Sequence, residues 1–184
     1  MEGIKRRDLL RNLLPVAADA AREASSVPRA PQRRPPGALS EEAFLDKCTT
    51  CGQCSDACPQ GAIFTFAEST GDLACTPVLL PERRPCTMCE GFPCVAACDD
   101  GALLPFEGVV WPLGKVRIDE RRCLAYLGPE CGACVGVCPH GIRAIEQVAW
   151  KPRVDQALCV GCGLCIRACP TTPSAIVLAA LPEE

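Results

Sequence analysis

The sequence predicts a fold of short strands and helical turns, repeated around cysteine loops. Three observations carry this. The chain has 184 residues and 17 Cys, far above ordinary usage, and all but one of these fall into four tight groups. Each group is followed within a few residues by a small turn and an apolar run: Gly61–Phe66, Gly101–Leu104, Gly141–Ile145 and Ala175–Leu178. Two groups are preceded by strand-like alternation, Lys115–Asp119 and Lys151–Asp155, so the repeating unit is strand, cysteine loop, helical turn, strand.

Taken in order, the chain opens on Lys5, Arg6, Arg7, Asp8, Leu9, Leu10 and Arg11, which resembles a twin-arginine export motif. The neutral apolar region such a motif needs is short here. Asn12–Ala18 contains Pro15 and runs into Asp19, Arg22 and Glu23. We therefore read an amphipathic helix with Leu9, Leu10, Leu13 and Leu14 on one face, suited to docking a partner or to self-association, in a cytoplasmic protein. Residues 25–37 form a Pro- and Arg-rich tether. The domain proper is expected to run from Ala38 to the C-terminus, 38–184, and opens on a helix with Ser40 at its N-cap and Glu41 and Glu42 in its first turn.

Five Phe, two Trp and one Tyr supply few of the large side chains that usually fill a core. Something inorganic must replace part of it. Disulfides are the first rival, but a disulfide scaffold rarely bunches cysteines three residues apart on repeated loops. The first group, Cys48, Cys51, Cys54 and Cys58 followed by Pro59, reads CxxCxxCxxxCP. The fourth, Cys159, Cys162, Cys165 and Cys169 followed by Pro170, has identical spacing. This is the bacterial ferredoxin run, in which three thiolates hold one [4Fe-4S] cluster and the fourth ligates the other cluster of a pair. Gly52, Gly161 and Gly163 let the backbone curl and point N–H groups at sulfur. A zinc ribbon needs only two cysteines per loop and has no use for the third cysteine and the CP step.

The second group, Cys86, Cys89, Cys94 and Cys98, and the third, Cys123, Cys131, Cys134 and Cys138, are expanded versions of the same loop. Loop entropy grows slowly enough to tolerate the insertions. Asp99 stands where Pro is expected and is read as a solvated surface residue. Cys75 is left over and is read as a small, semi-buried thiol. His140, the single histidine, is read as a turn residue near a cluster, not a ligand.

Net charge is −3 and no basic stripe is interleaved with aromatics, so nucleic acid is not an expected partner. An oxidised four-thiolate cluster nets about −2, so four would take the holoprotein to roughly −11. Apolar stretches are far below a membrane span. No nucleotide-binding glycine loop and no nucleophile–base pair competes with electron transfer, so no catalytic residues are assigned.

The segments RRPPGALSEEAF, CTTCGQCSDACP, CTMCEGFPCVAAC and CLAYLGPECGACVGVCP resemble the polyferredoxin-type NapG/MauM/NapF ferredoxin-type family, over Arg34–Leu181. The order of four groups also resembles the iron-sulfur subunits of molybdenum and tungsten oxidoreductases. The resemblance implies an α+β fold, a pseudo-twofold pair of bacterial ferredoxin-like modules, intertwined, with an N-terminal helical extension. It implies four [4Fe-4S] clusters relaying single electrons between a catalytic subunit of molybdenum or tungsten type and a donor or acceptor such as a flavoprotein. It further implies that groups one and four share a cluster pair, as do two and three. One cluster would take Cys48, Cys51, Cys54 and Cys169, and its partner Cys159, Cys162, Cys165 and Cys58. The middle pair would take Cys86, Cys89, Cys94 with Cys138, and Cys123, Cys131, Cys134 with Cys98. The spacing also accommodates pairing in sequence order, one with two and three with four. Two rival functions are an accessory or maturation factor for such an enzyme and a redox sensor, the second lacking any DNA-binding element.

Overall fold

Cysteine loops and Gly/Pro turns interrupt the chain so often that only short elements fit between them. The computed structural model describes residues 32–181, which fall in one unit spanning 31–184. The twin-arginine-like motif and the leucine face expected at 9–14 lie outside the described residues. Among those described, no helix is long and apolar enough to cross a membrane.

Among the described residues the longest helix is α1 (Glu41–Lys47), with Glu41 and Glu42 in its first turn and Lys47 in its last, charges that suit the helix dipole. Ser40 occupies the N-cap, but its side chain makes no capping hydrogen bond. The other helices are single turns within or beside the cysteine groups: α2 (Gln53–Asp56), α3 (Pro93–Ala96), α4 (Leu124–Leu127) and α5 (Leu164–Ala168).

Strands β1 (Ile63–Thr65) and β2 (Pro77–Leu79) form an antiparallel hairpin with Ile63 opposite Leu79. In the second half, β4 (Ile145–Val148) pairs with β5 (Lys151–Val154), and β3 (Val116–Ile118) pairs with β6 (Ile176–Leu178), both antiparallel. The β3–β6 pair ties the start of that half to its end. In the first half a single bridge, Ala38 to Leu103, occupies the same place. Each half is thus an inner hairpin plus an outer closure, and the apolar runs expected after the cysteine groups supply β1, the Leu103 bridge and β6, while the run Gly141–Ile145 contributes only Ile145, the first and only buried residue of β4.

Two apolar cores follow the halves. Phe44, Ile63, Leu79, Met88, Leu103 and Leu113 build one, and Val116, Ile145, Ile166, Ile176 and Leu178 the other. Thiols are members of both: Cys54, Cys94 and Cys162 in the first, Cys134, Cys159 and Cys165 in the second. The sulfur positions stand where large side chains would otherwise pack.

The tether ends earlier than the sequence suggests. Pro35 and Pro36 are fully buried and Arg34 is 5% exposed. The amide of Leu79 donates to the Arg33 carbonyl at 2.7 Å and that of Leu104 to the Gly37 carbonyl at 2.7 Å. Arg33 donates to the Leu113 carbonyl at 3.0 Å. Arg34 binds the Glu41 carboxylate and donates to Thr76 and to the Pro77 carbonyl. A Pro-rich segment has few backbone donors to satisfy, so it packs well once two guanidinium groups find acceptors.

Candidate metal centres

Each cysteine loop is shaped by a backbone that repeatedly turns left-handed. The residue two after the leading cysteine takes positive φ in three groups: Thr50 (56°), Met88 (52°) and Gly161 (69°). Gly52 and Gly163 repeat it one residue after the second cysteine, at 79° and 86°. Only glycine adopts this region freely, so Thr50 and Met88 were invisible as loop formers in the sequence. The curl turns N–H groups inward. The Ala62 amide donates to Cys58 Sγ at 3.3 Å and the Leu103 amide to Cys98 Sγ at 3.3 Å.

The cysteines converge in fours. Cys48, Cys51, Cys54 and Cys98 line one cavity of about 20 Å³; we term this site 1. Cys86, Cys89, Cys94 and Cys58 line a second of about 20 Å³, site 2. Cys123, Cys131, Cys134 and Cys169 line a third, also about 20 Å³, site 3. The remaining four are Cys138, Cys159, Cys162 and Cys165, which we term site 4; beyond its burial, the Cys165 thiol feels Cys162, Cys159 and Cys138 most strongly among the cysteines.

This differs from the ligand exchange that the family resemblance implies. Cys98, not Cys169, completes the first group, and Cys58 completes the second. The third and fourth groups exchange Cys138 and Cys169 in the same way. The halves are therefore sequential and do not intertwine by trading cysteines. The reason lies in α2 and α3: Cys54 and Cys58 bracket one helical turn, as do Cys94 and Cys98, and the two turns pack together. Each turn carries its last cysteine into the neighbouring site.

Burial dominates the electrostatics. It pushes the Cys54, Cys86 and Cys134 thiols up to about 11, and Cys94 and Cys165 up to about 12, with neighbouring thiolates adding to the rise. Burial also acts to raise Cys169, but hydrogen bonds from Thr171, Ser174 and the Ala175 amide outweigh it and bring that thiol down to about 7. Four thiols around one cavity, with at least one of them buried in every site, form a soft donor set that suits iron-sulfur clusters or thiophilic metals. All seventeen cysteines are free of disulfides. Among the described residues no three or more His, Cys, Asp or Glu side chains gather closely enough for a single metal ion. A tetrahedral zinc needs sulfurs about 2.3 Å from one centre.

Several residues stand beside these sites. Cys75 is half-buried, with φ 58°, and lines the site 1 cavity; no spacing rule ties it to the four groups. Arg34, missed as a site neighbour because it sits in the supposed tether, stacks 4.6 Å over Phe44. Its charge favours the Cys48 thiolate, although burial dominates and leaves that thiol raised. Asp99 is exposed. His140 sits in a 3₁₀ turn, Pro139–Gly141, with Nε2 against the Met88 carbonyl.

Thiol-lined sites on repeated loops of this kind, carried by paired hairpin modules, define a ferredoxin-type iron-sulfur protein. Residues 115–170 match the 4Fe-4S dicluster domain family, a span holding all eight cysteines of groups three and four, and residues 44–64 match the 4Fe-4S binding domain family. The methylamine utilization ferredoxin-type protein MauM of Methylobacillus flagellatus is 35% identical over 168 residues, covering 85% of this chain and 71% of the relative. The MauM of Methylorubrum extorquens is 33% identical, covering 97% and 90%. The ferredoxin-type protein NapG of Escherichia coli is 32% identical, covering 78% and 68%. The chain belongs to the MauM/NapG ferredoxin-type family of 4Fe-4S electron-transfer proteins.

Proposed function

We propose that the chain carries four [4Fe-4S] clusters and relays single electrons between a redox protein and a catalytic oxidoreductase, performing no substrate chemistry itself. The observation that carries this is the convergence of four thiols on each of three equal cavities, with the remaining four group cysteines together at a fourth site. Sites 1 to 4 would hold one cluster each, through the sixteen cysteines of the four groups. When bound, such a cluster takes up and releases one electron with little change in structure. The chain's own part is to bury the thiols, to aim amides such as Ala62 and Leu103 at sulfur, and to set the surrounding charge, the levers by which a protein tunes potential.

The two halves, each a hairpin with an outer closure, support a pseudo-twofold pair of ferredoxin-like modules. A molybdenum or tungsten enzyme as client and a flavoprotein as donor follow from resemblance alone. Cytoplasmic residence belongs to the same reading. An electron carrier is favoured over an assembly factor because all four sites are complete in thiols. Anaerobic isolation of the full-length chain with iron and sulfide analysis tests this. About 16 iron per chain, with a reducible visible band, is expected. About 8 iron, or zinc in place of iron, would overturn the four-cluster reading.

A further inference from the structure

We propose that the four sites form a single row, in the order site 1, site 2, site 4, site 3, whose halves meet where the Cys86 amide donates to the Cys162 carbonyl, with His140 as the positioning residue of that junction. The proposal rests on the four-site reading above.

Within each half the exchange of cysteines dictates the neighbours. Cys58 of site 2 follows Cys54 of site 1 by one helical turn, and Cys98 of site 1 follows Cys94 of site 2. Likewise Cys169 of site 3 follows Cys165 of site 4 along α5, its amide donating to the Cys165 carbonyl at 3.1 Å. Between halves, four contacts are conceivable: either of sites 1 and 2 against either of sites 3 and 4. The backbone selects one. The Cys86 amide of site 2 donates to the Cys162 carbonyl of site 4 at 2.9 Å, so the two ligand loops touch with no side chain between them.

Three further observations converge on the same seam. Cys162 is buried as a member of the first half's core rather than of its own half's. The glycines flanking it stand against other backbone segments too closely for a side chain. A Cβ on Gly163 would strike the Pro81 carbonyl, and one on Gly161 would lie 2.6 Å from the Gly114 backbone. His140 then closes the seam from the other side. It lies two residues beyond Cys138 of site 4, and its Nε2 meets the carbonyl of Met88, between Cys86 and Cys89 of site 2. Met88 is fully buried with φ 52°, and its carbonyl meets His140 from the second half. Cys89 and His140 line one groove. In this row sites 1 and 3 are the termini, and the crossing from one half to the other falls at its centre.

Two experiments on the full-length, anaerobically isolated chain test the order. In the first, Cys48→Ala, Cys51→Ala, Cys123→Ala and Cys131→Ala together leave only sites 2 and 4; Cys86→Ala, Cys89→Ala, Cys159→Ala and Cys165→Ala together leave only sites 1 and 3. After chemical reduction with a low-potential one-electron reductant, the first variant is expected to give an electron paramagnetic resonance signal broadened by spin–spin interaction. The second is expected to give two independent signals. The reverse pattern overturns the order.

The second experiment keeps all sixteen group cysteines and does not depend on multiple variants folding. In His140→Ala, amide hydrogen exchange at Cys86 is expected to speed up about fivefold, as loss of one ordinary hydrogen bond allows, with iron content unchanged. His140→Gln, which retains a side-chain donor, restores the slow rate. Unchanged exchange at Cys86 in His140→Ala removes His140 from the junction. Failure of the underlying reading shows elsewhere, as unaltered wild-type protein holding fewer than about 16 iron, while the exchange measurement still reports on the seam.

Discussion

Removing two cysteines together separates thiols that share a site from thiols that do not. Cys51 and Cys98 line one cavity, and Cys169 lines another. With four sites each holding a four-iron cluster, loss of one site leaves about 12 iron and loss of two leaves about 8. The single variants Cys51→Ala, Cys98→Ala and Cys169→Ala should each disable one site. The double variant Cys51→Ala/Cys98→Ala should still disable only one, because the second deletion strikes a site already broken. Cys51→Ala/Cys169→Ala should disable two. This is the logic of a double-mutant cycle with iron as the additive quantity. The assay is iron and sulfide per chain after anaerobic isolation, with the integrated spin of the fully reduced protein as a second count that also registers a cluster stripped of a single iron. A Cys51/Cys98 double variant that loses twice the iron of either single, beside a Cys51/Cys169 double that loses no more than one, would refute the pairing and restore the exchange between groups one and four.

Two glycine substitutions separate conformational cost from steric clash. Gly52→Ala meets nothing within 4 Å at φ 79° and should destabilise by about 1 kcal/mol; Gly163→Ala at φ 86° meets the Pro81 carbonyl and should cost roughly 3 kcal/mol or more, read as a much larger fall in thermal midpoint of the holoprotein. Arg34→Met should lower stability by about 2 kcal/mol, below the roughly 3–5 kcal/mol for breaking a fully buried pair because Glu41 keeps some solvent. The same change should shift the site 1 potential downward in a redox titration, since a cation beside Cys48 is lost. Raised thiols must shed protons when they become ligands, so cluster insertion into the cluster-free chain should strengthen as pH rises from 7 to 9, with proton release measurable in unbuffered solution; insertion that is independent of pH would contradict the burial seen at Cys94 and Cys165.

Much of the centre was legible before folding because cluster ligation is local chemistry. A CxxCxxC loop brings three thiols round one guest through short-range backbone geometry, so groups one and four declare themselves, and the expanded groups two and three follow by analogy. The apolar runs after the groups likewise predict β1 and β6, since a strand that packs beside a buried sulfur must itself be apolar, whereas β4 starts at the last residue of its run, Ile145, and continues exposed. Arg33–Gly37 escaped because a Pro- and Arg-rich string reads as solvent-exposed unless its acceptors, the carbonyls of Leu113 and Pro77 and the carboxylate of Glu41, are known. Thr50 and Met88 escaped because their side chains give no sign of a left-handed backbone. Cys75 carried no spacing signal at all, and its place on the site 1 wall comes from the loop that joins β1 to β2.

The sequence by itself determined that cysteines in fours would be gathered by short loops, and that a chain poor in large aromatics would use buried sulfur within its cores. Those are properties of residue type and of spacing over a dozen positions. Which fourth cysteine completes which site was left open, because that depends on how helical turns distant in sequence pack against one another. The tertiary structure decided it by setting α2 against α3, which sends Cys58 and Cys98 across to each other's sites, and by closing β3 on β6 in the second half. It also decided where the halves touch. A hydrogen bond from Cys86 to Cys162, between residues 76 apart in the chain, has no local signature, and the glycines at 161 and 163 that lie against Gly114 and Pro81 show their need only once those backbones meet.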